Sequence, residues 1–244
     1  GAPFSVYGIP CVAGNYAQSV IPILLSVWAM SYIERLFKKV MPDTLSTVFT
    51  PFFTMLVTVP VSLCALAPLG SWLGNGLAAF FEMLGSTGGV VAILGAGLLA
   101  AAWLPIVISG MHVALIMIAI ANFMATGVDS FILPATTLSL WAAYGAEVAS
   151  WLKLRNKDEK TLCLGYVIAN MVGGVGEPFI YGVMLRYRRT FAMAIAGAFV
   201  AGALGMSLGV SVYVAGTASN VLNLLAFVGG DVQNFINACI AGAV

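Results

Sequence analysis

The sequence predicts an all-α fold: a polytopic transmembrane helical bundle with a re-entrant hairpin. Three observations carry that expectation. The 244 residues are 61% hydrophobic and 8% charged, against about 25% charged in a soluble domain, and mean hydropathy is +1.03. Several apolar runs exceed the ~18 residues that mark a transmembrane helix, and they are continuous rather than alternating with period two as in a membrane barrel. Finally, all ten Lys and Arg fall into three clusters: Arg35, Lys38 and Lys39; Lys153, Arg155, Lys157 and Lys160; Arg186, Arg188 and Arg189.

Basic loops stay cytoplasmic, so the clusters set the topology. Residues 14–33 cross to the first cluster, and 45–68 cross outward after a helix start capped by Asp43. The punctuation APLGSWLGNG follows, and 71–84 read as an outer interfacial segment, with Trp72 and Glu82 at headgroup level. The apolar stretch from Gly88 to Phe123 is too long for one span, and Pro105 divides it into 88–104 and 106–124. Residues 131–152 return to the second cluster. Between the second and third clusters only the 25 residues 161–185 are available, whereas two full spans need about 40. This segment is therefore expected to dip into the bilayer and return, with GGVGEP at its tip. Gly173, Gly174, Gly176 and Pro178 suit such irregular backbone, which is tolerated at membrane depth only against protein or a wet cavity. Residues 190–213 cross outward, with Gly205 and Gly209 spaced for close helix packing. Residues 232–244 are too short to span.

A net charge of +1 gives no field for nucleic acid. The four cysteines, Cys11, Cys64, Cys163 and Cys239, lack C-x-x-C spacing and read as small packing residues, so neither a metal site nor a disulfide framework is indicated. No cofactor motif is present. No cleavable leader is read at the start, and both ends read as cut from a longer chain.

Ionisable groups within spans are costly and are functional candidates by default. Glu177, in NMVGGVGEPFIYGV, is the first; its plainer role would be to satisfy loose amide donors at the hairpin tip. His112, the lone histidine, is the second. Ser109 lies on its helical face, but no acid partner or exposed elbow supports a Ser–His nucleophile. Trp103, Trp141 and Tyr144 can stack on a ligand, although aromatics in spans mostly serve packing or the interface. With Asn122, Thr136 and Asn170 they make up the candidate supporting groups. Asn122, Asp129, Thr136 and Thr137 also flank a turn, where loop capping explains them. Glu147, near the inner end of its helix, is expected to pair with a nearby lysine. A carboxylate and a histidine inside a bundle suit an uncharged polyhydroxylated ligand, since hydrogen bonds to a charged partner contribute about 1.5–3 kcal/mol each.

GGVGEPFIYGV resembles the Gly-Ile-Thr-Glu-Pro signature of the membrane C-component (enzyme IIC) of the bacterial phosphoenolpyruvate-dependent sugar phosphotransferase system, in its glucose/β-glucoside/sucrose/trehalose branch. GMHVALIMI is similar to that branch's Gly-x-His segment, SVIPILLSVWAMSYIERLFKKVMPDTL to its basic inner loop, and LPATT to the region after the histidine helix. The resemblance runs over about residues 9–225. Three departures stand out: Val175–Gly176 replace Ile-Thr, Val113 replaces an aromatic, and RYRRTF replaces a lysine-rich loop. The resemblance implies scaffold-type spans in 1–87 and a substrate-binding transport domain in 88–244. It implies a sugar held by Glu177 and His112, with Glu177 also a general base toward the attacking hydroxyl. It further implies a phosphorylated B-component as cytoplasmic partner, an inner-membrane location and a homodimer in the full-length protein. Family N-terminal spans and the B-domain are not read in this chain. The rival expectation is a proton-coupled secondary transporter; no internal repeat of the kind such proteins carry is visible.

Overall fold

The computed structural model describes residues 4–6, 9–11, 20–215 and 219–244. The structure is helical apart from a small antiparallel hairpin of β1 (Phe4–Val6) and β2 (Ile9–Cys11) and an isolated bridge between Asp129 and Val212. The start of the expected first span, residues 14–19, lies outside the described residues. The chain forms two compact units: Gly1–Leu77 with Ser109–Ala114, and Ala78–Ile108 with Leu115–Val244.

In the first unit, α1 (Val20–Val40) packs on α2 (Asp43–Val61), with Phe37 stacked on Phe53 at 5.7 Å. Pro51 and Pro60 lie within α2, which runs on through a π segment (Ser62–Leu66) into α3 (Ala67–Thr87). The expected break before residue 71, and with it a separate interfacial segment, is absent. Local Gly/Pro preferences lose here because a helix satisfies all its own backbone groups, which an apolar setting demands. The π turn absorbs the irregularity. Cys64, in that turn, is disulfide-bonded, which corrects its reading as a packing residue; Cys163 and Cys239 are free.

The second unit is built on α4 (Gly89–Ile108), α6 (Ile132–Lys153) and α9 (Arg188–Ser207), each packed on the other two. Pro105 does not break α4; the helix ends three residues later, and Gly110 turns the chain with φ +72°. Small residues let the axes approach. A Cβ on Gly202 would lie 2.6 Å from Ala100 Cβ and 2.7 Å from the Ala96 carbonyl, and one on Gly205 would collide with Leu138. Gly209, expected to share that role, instead ends the helix at φ +70° with open space around it. Three described helices are long and apolar enough to cross a membrane: Leu45–Thr87, Gly89–Ile108 and Arg188–Ser207. Helix α6 is not among them, because it buries a polar stripe.

Helices α5 (His112–Thr126) and α6 are joined through Asp129, whose carboxylate accepts from the amides of Phe131, Ile132 and Leu133 at 2.7, 3.0 and 3.3 Å. Beyond α9 the chain is irregular. A 3-10 segment (Val221–Phe227) and α10 (Val232–Gly242) close the unit. Asn234 of α10 accepts from Ser211 N and donates to the carbonyls of Ser211 and Phe227. One buried side chain thus satisfies backbone groups of an irregular stretch and of a helix end.

Candidate functional site

The segment between the second and third basic clusters is a hairpin. Its first arm is α7 (Lys157–Met171), capped by the Asn156 side chain. Its second arm is α8 (Glu177–Phe179), continuing into a π segment (Ile180–Met184). The two ends meet: Arg186 Nη2 lies 3.0 Å from Glu159 Oε1, and Tyr187 OH donates to Glu159 Oε2 at 3.1 Å. An apolar cluster of Cys163, Val167, Phe179, Ile180, Val183 and Met184 zips the arms against α4, α6 and α9.

The tip satisfies itself. The amides of Val172, Gly173, Gly174 and Val175 donate to carbonyls of Ile168, Asn170 and Ala169 in the last turn of α7. Gly174 takes φ +74°, where a Cβ is strained, and that Cβ would also press on the Ser219 backbone at 3.3 Å. Gly176 lies against Asn170, at 3.3 Å from a built Cβ to the amide. Pro178 sits in the first turn of α8, where its missing N–H costs nothing. Glu177 is exposed. Its carboxylate is not needed by the tip amides of 172–175, which removes much of the case for a purely structural role.

Behind the tip lies Glu147, with only 1% of its surface exposed. Its Oε1 accepts from Asn170 Nδ2 at 2.5 Å, and its Oε2 has no partner among the described residues. The expected pairing with a lysine is corrected here. Lys153 is six residues on, about 240° around the axis, so the two side chains leave different faces. The signal was in the spacing. Leu133, Thr136, Thr137, Leu140, Tyr144 and Glu147 follow i, i+3, i+4 steps along one face of α6, and all the polar members are buried.

That face borders a cavity of about 210 Å³ lined by Trp103, Thr136, Thr137, Ser219 and Asn223 together with aliphatic residues. Tyr144 OH donates to Ser219 O at 2.9 Å, and Asn220 Nδ2 donates to Val172 O at 3.0 Å. These two bonds tie the loop after α9 to both α6 and the hairpin tip. Of the sequence candidates, Trp103, Thr136, Tyr144 and Asn170 therefore fall in one neighbourhood. Glu177 adjoins it through Gly176 but does not line the cavity. Asn122 lies elsewhere: its Nδ2 donates to Glu82 Oε1 at 3.0 Å, beside a second cavity of about 330 Å³. His112 opens α5 in the first unit, half-buried and engaged within the fold. Among the described residues no group of three or more His, Cys, Asp or Glu is arranged to hold a metal ion.

Residues 2–198 match the family model described as "Phosphotransferase system, EIIC". The chain belongs to the phosphotransferase-system EIIC family. This EIIC chain is 36% identical over 216 residues to the beta-glucoside-specific EIIBCA component of Bacillus subtilis (strain 168), covering 88% of the chain and 35% of that protein. It is 31% identical over 240 residues to the sucrose-specific EIIBC component of Klebsiella pneumoniae, covering 98% and 51%. Against the glucose-specific EIIBCA component of Corynebacterium glutamicum it is 30% identical over 205 residues, covering 83% and 30%. The chain thus spans about a third to a half of the length of these curated EIIC-containing relatives. No solved structure matches it.

Proposed function

We propose that the chain is the sugar-permease part of a phosphotransferase system: it binds a sugar, carries it across the cell membrane and presents it to a phosphorylated B-component. The observation that carries this is the hairpin. It returns to its starting end and carries an exposed carboxylate, Glu177, that the tip amides of 172–175 do not use, and its tip meets the Ser219–Asn220 loop that borders a cavity lined by hydroxyl, amide and indole groups.

In this reading the hairpin dips into the bilayer from the cytoplasmic side. Glu177 accepts hydrogen bonds from sugar hydroxyls, and Trp103 offers a face for stacking. A site built to bond hydroxyls rejects analogues that lack them. Glu177 also takes the proton of the hydroxyl that attacks phosphorus, a role requiring about 2.6–3.2 Å to that oxygen. The relatives are named as EIIBC and EIIBCA components, which supports a B-component as the phosphoryl donor. A homodimer in the full-length protein and an inner-membrane, multi-pass topology belong to the same proposal.

The test is a sugar panel in thermal unfolding of the detergent-purified chain, since a bound ligand raises apparent stability. One or a few of glucose, β-glucosides, sucrose and trehalose should stabilise the wild type. Glu177→Gln should lose that response and still insert and fold. Wild-type affinity in that variant would remove Glu177 from the site. Uptake driven by a proton gradient without a phosphodonor would overturn the phosphotransferase role.

A further inference from the structure

A cavity of about 450 Å³ opens where the end of α6, the second π segment and the start of α9 meet. Its rim carries Lys153, in the last turn of α6, and Arg189, in the first turn of α9. Both are exposed, and neither is in an ion pair among the described residues. Thr190 adds a hydroxyl to the same wall. The other polar lining groups are committed: Ser150 Oγ donates to the Ala146 carbonyl, and Tyr187 OH to Glu159. The charge of Glu159 is already met by Arg186, so it does not neutralise the rim.

Away from the rim the walls turn apolar within a short depth. At 1.5 Å per residue, Ala146 lies about 10 Å along α6 from Lys153, and Met193 about 6 Å along α9 from Arg189. Val183 and Ala149 complete this part. Met193 is 71% exposed, so the apolar portion reaches the molecular surface instead of closing inside the bundle.

Two uncommitted cations above an apolar slot open at the side are a poor fit to a neutral sugar, and the slot offers nothing to a free phosphate ion. They fit an amphiphile with a phosphodiester head. Basic pockets between membrane helices on the cytoplasmic side favour anionic lipid headgroups, and each CH₂ buried below adds to the binding. We propose that this cavity holds the headgroup and upper acyl chain of an anionic phospholipid. The lipid would bridge α6 and α9 at the point where the two ends of the hairpin are pinned. The proposal needs the bundle to sit in a bilayer but does not depend on the sugar assignment.

The experiment uses the full chain in a neutral detergent. Binding is titrated by native mass spectrometry and by thermal unfolding, with phosphatidylglycerol, with phosphatidylcholine of the same chains, and with inorganic phosphate. Only phosphatidylglycerol should bind at low occupancy and raise Tm. Lys153→Gln with Arg189→Gln should weaken it roughly thirty-fold, from about 1 kcal/mol per basic residue. Ala149→Phe, which fills the slot without changing charge, should also weaken it, and this serves if the double variant does not fold. Lys38→Gln with Lys39→Gln should leave it unchanged. The proposal fails if phosphatidylcholine or inorganic phosphate matches phosphatidylglycerol. It fails equally if the cavity variants keep wild-type affinity, or if the Lys38/Lys39 control loses as much.

Discussion

Asn170 links α7 to α6 through a single side-chain hydrogen bond. Its amide donates to Glu147, and its backbone carbonyl accepts from Gly174 at the tip. Glu147→Ala should leave that buried amide unpaired and cost about 1–3 kcal/mol, read as a lower denaturation midpoint in detergent. Glu147→Gln, which keeps an acceptor oxygen at the same place, should retain most of the stability. If both variants unfold alike, the bond is not what holds the tip. Asp129 offers a second test, because it meets three amides at the start of α6. Asp129→Ala should cost about 1 kcal/mol, in the range for lost N-terminal caps, by the same denaturation measurement. At this scale the sequence is uneven as a guide. The capping role of Asp129 could be read from its place before an apolar run. Glu147 could not be placed from the lysines six and more residues away, because helical phase and not sequence distance decides which groups meet. Trp103, Thr136, Tyr144 and Asn170 were identifiable as rare polar or aromatic groups in apolar stretches. Asn122 has the same character and serves a different contact, so rarity alone does not assign a partner.

Helix α9 packs through glycine where a side chain would separate the axes. Gly202→Leu places bulk against Ala100 and the Ala96 carbonyl of α4, and overpacking of this kind costs about 1–3 kcal/mol or more. The variant should show a lower midpoint or a loss of folded yield in size-exclusion chromatography, whereas Gly76→Ala, with no atom within 4 Å of its Cβ, should not. Helix existence was legible from long apolar runs, but the breaks were less so. Pro60 and the APLG stretch read as punctuation, yet the helix continues from Asp43 to Thr87 through one π turn. Pro105 read as a break, yet α4 passes it, ends at Ile108, and the chain turns at Gly110. In both cases the backbone's need for internal partners outweighs the preference of one residue. The left-handed glycines, not the prolines, mark where the chain turns. The small β1–β2 hairpin had no periodic signal long enough to detect.

For the whole molecule, the placement of charge was the most informative property of the sequence. Three basic clusters and a segment too short for two spans led to a hairpin over 161–185, and the structure joins the ends of that segment through Glu159, Arg186 and Tyr187. Cysteines introduced at Lys157 and Arg188 should therefore label from one and the same side of sealed vesicles with an impermeant maleimide, in a background lacking the native free thiols. Labelling from opposite sides would refute the topology. What the sequence could not supply is the pairing of distant stretches: the loop at Ser219–Asn223 meets the tip only because α9 carries the chain back past α6.

A segment whose entrance and exit lie side by side behaves as a cassette. Residues 160–185 can be exchanged for the matching stretch of a relative without rerouting any neighbouring helix, provided the Glu159–Arg186 clasp that flanks the graft is left in place and the new piece keeps a small residue against Ser219. On the proposed sugar-permease reading, selectivity for one sugar over another would then travel with a graft of some two dozen residues while the rest of the bundle stays as it is.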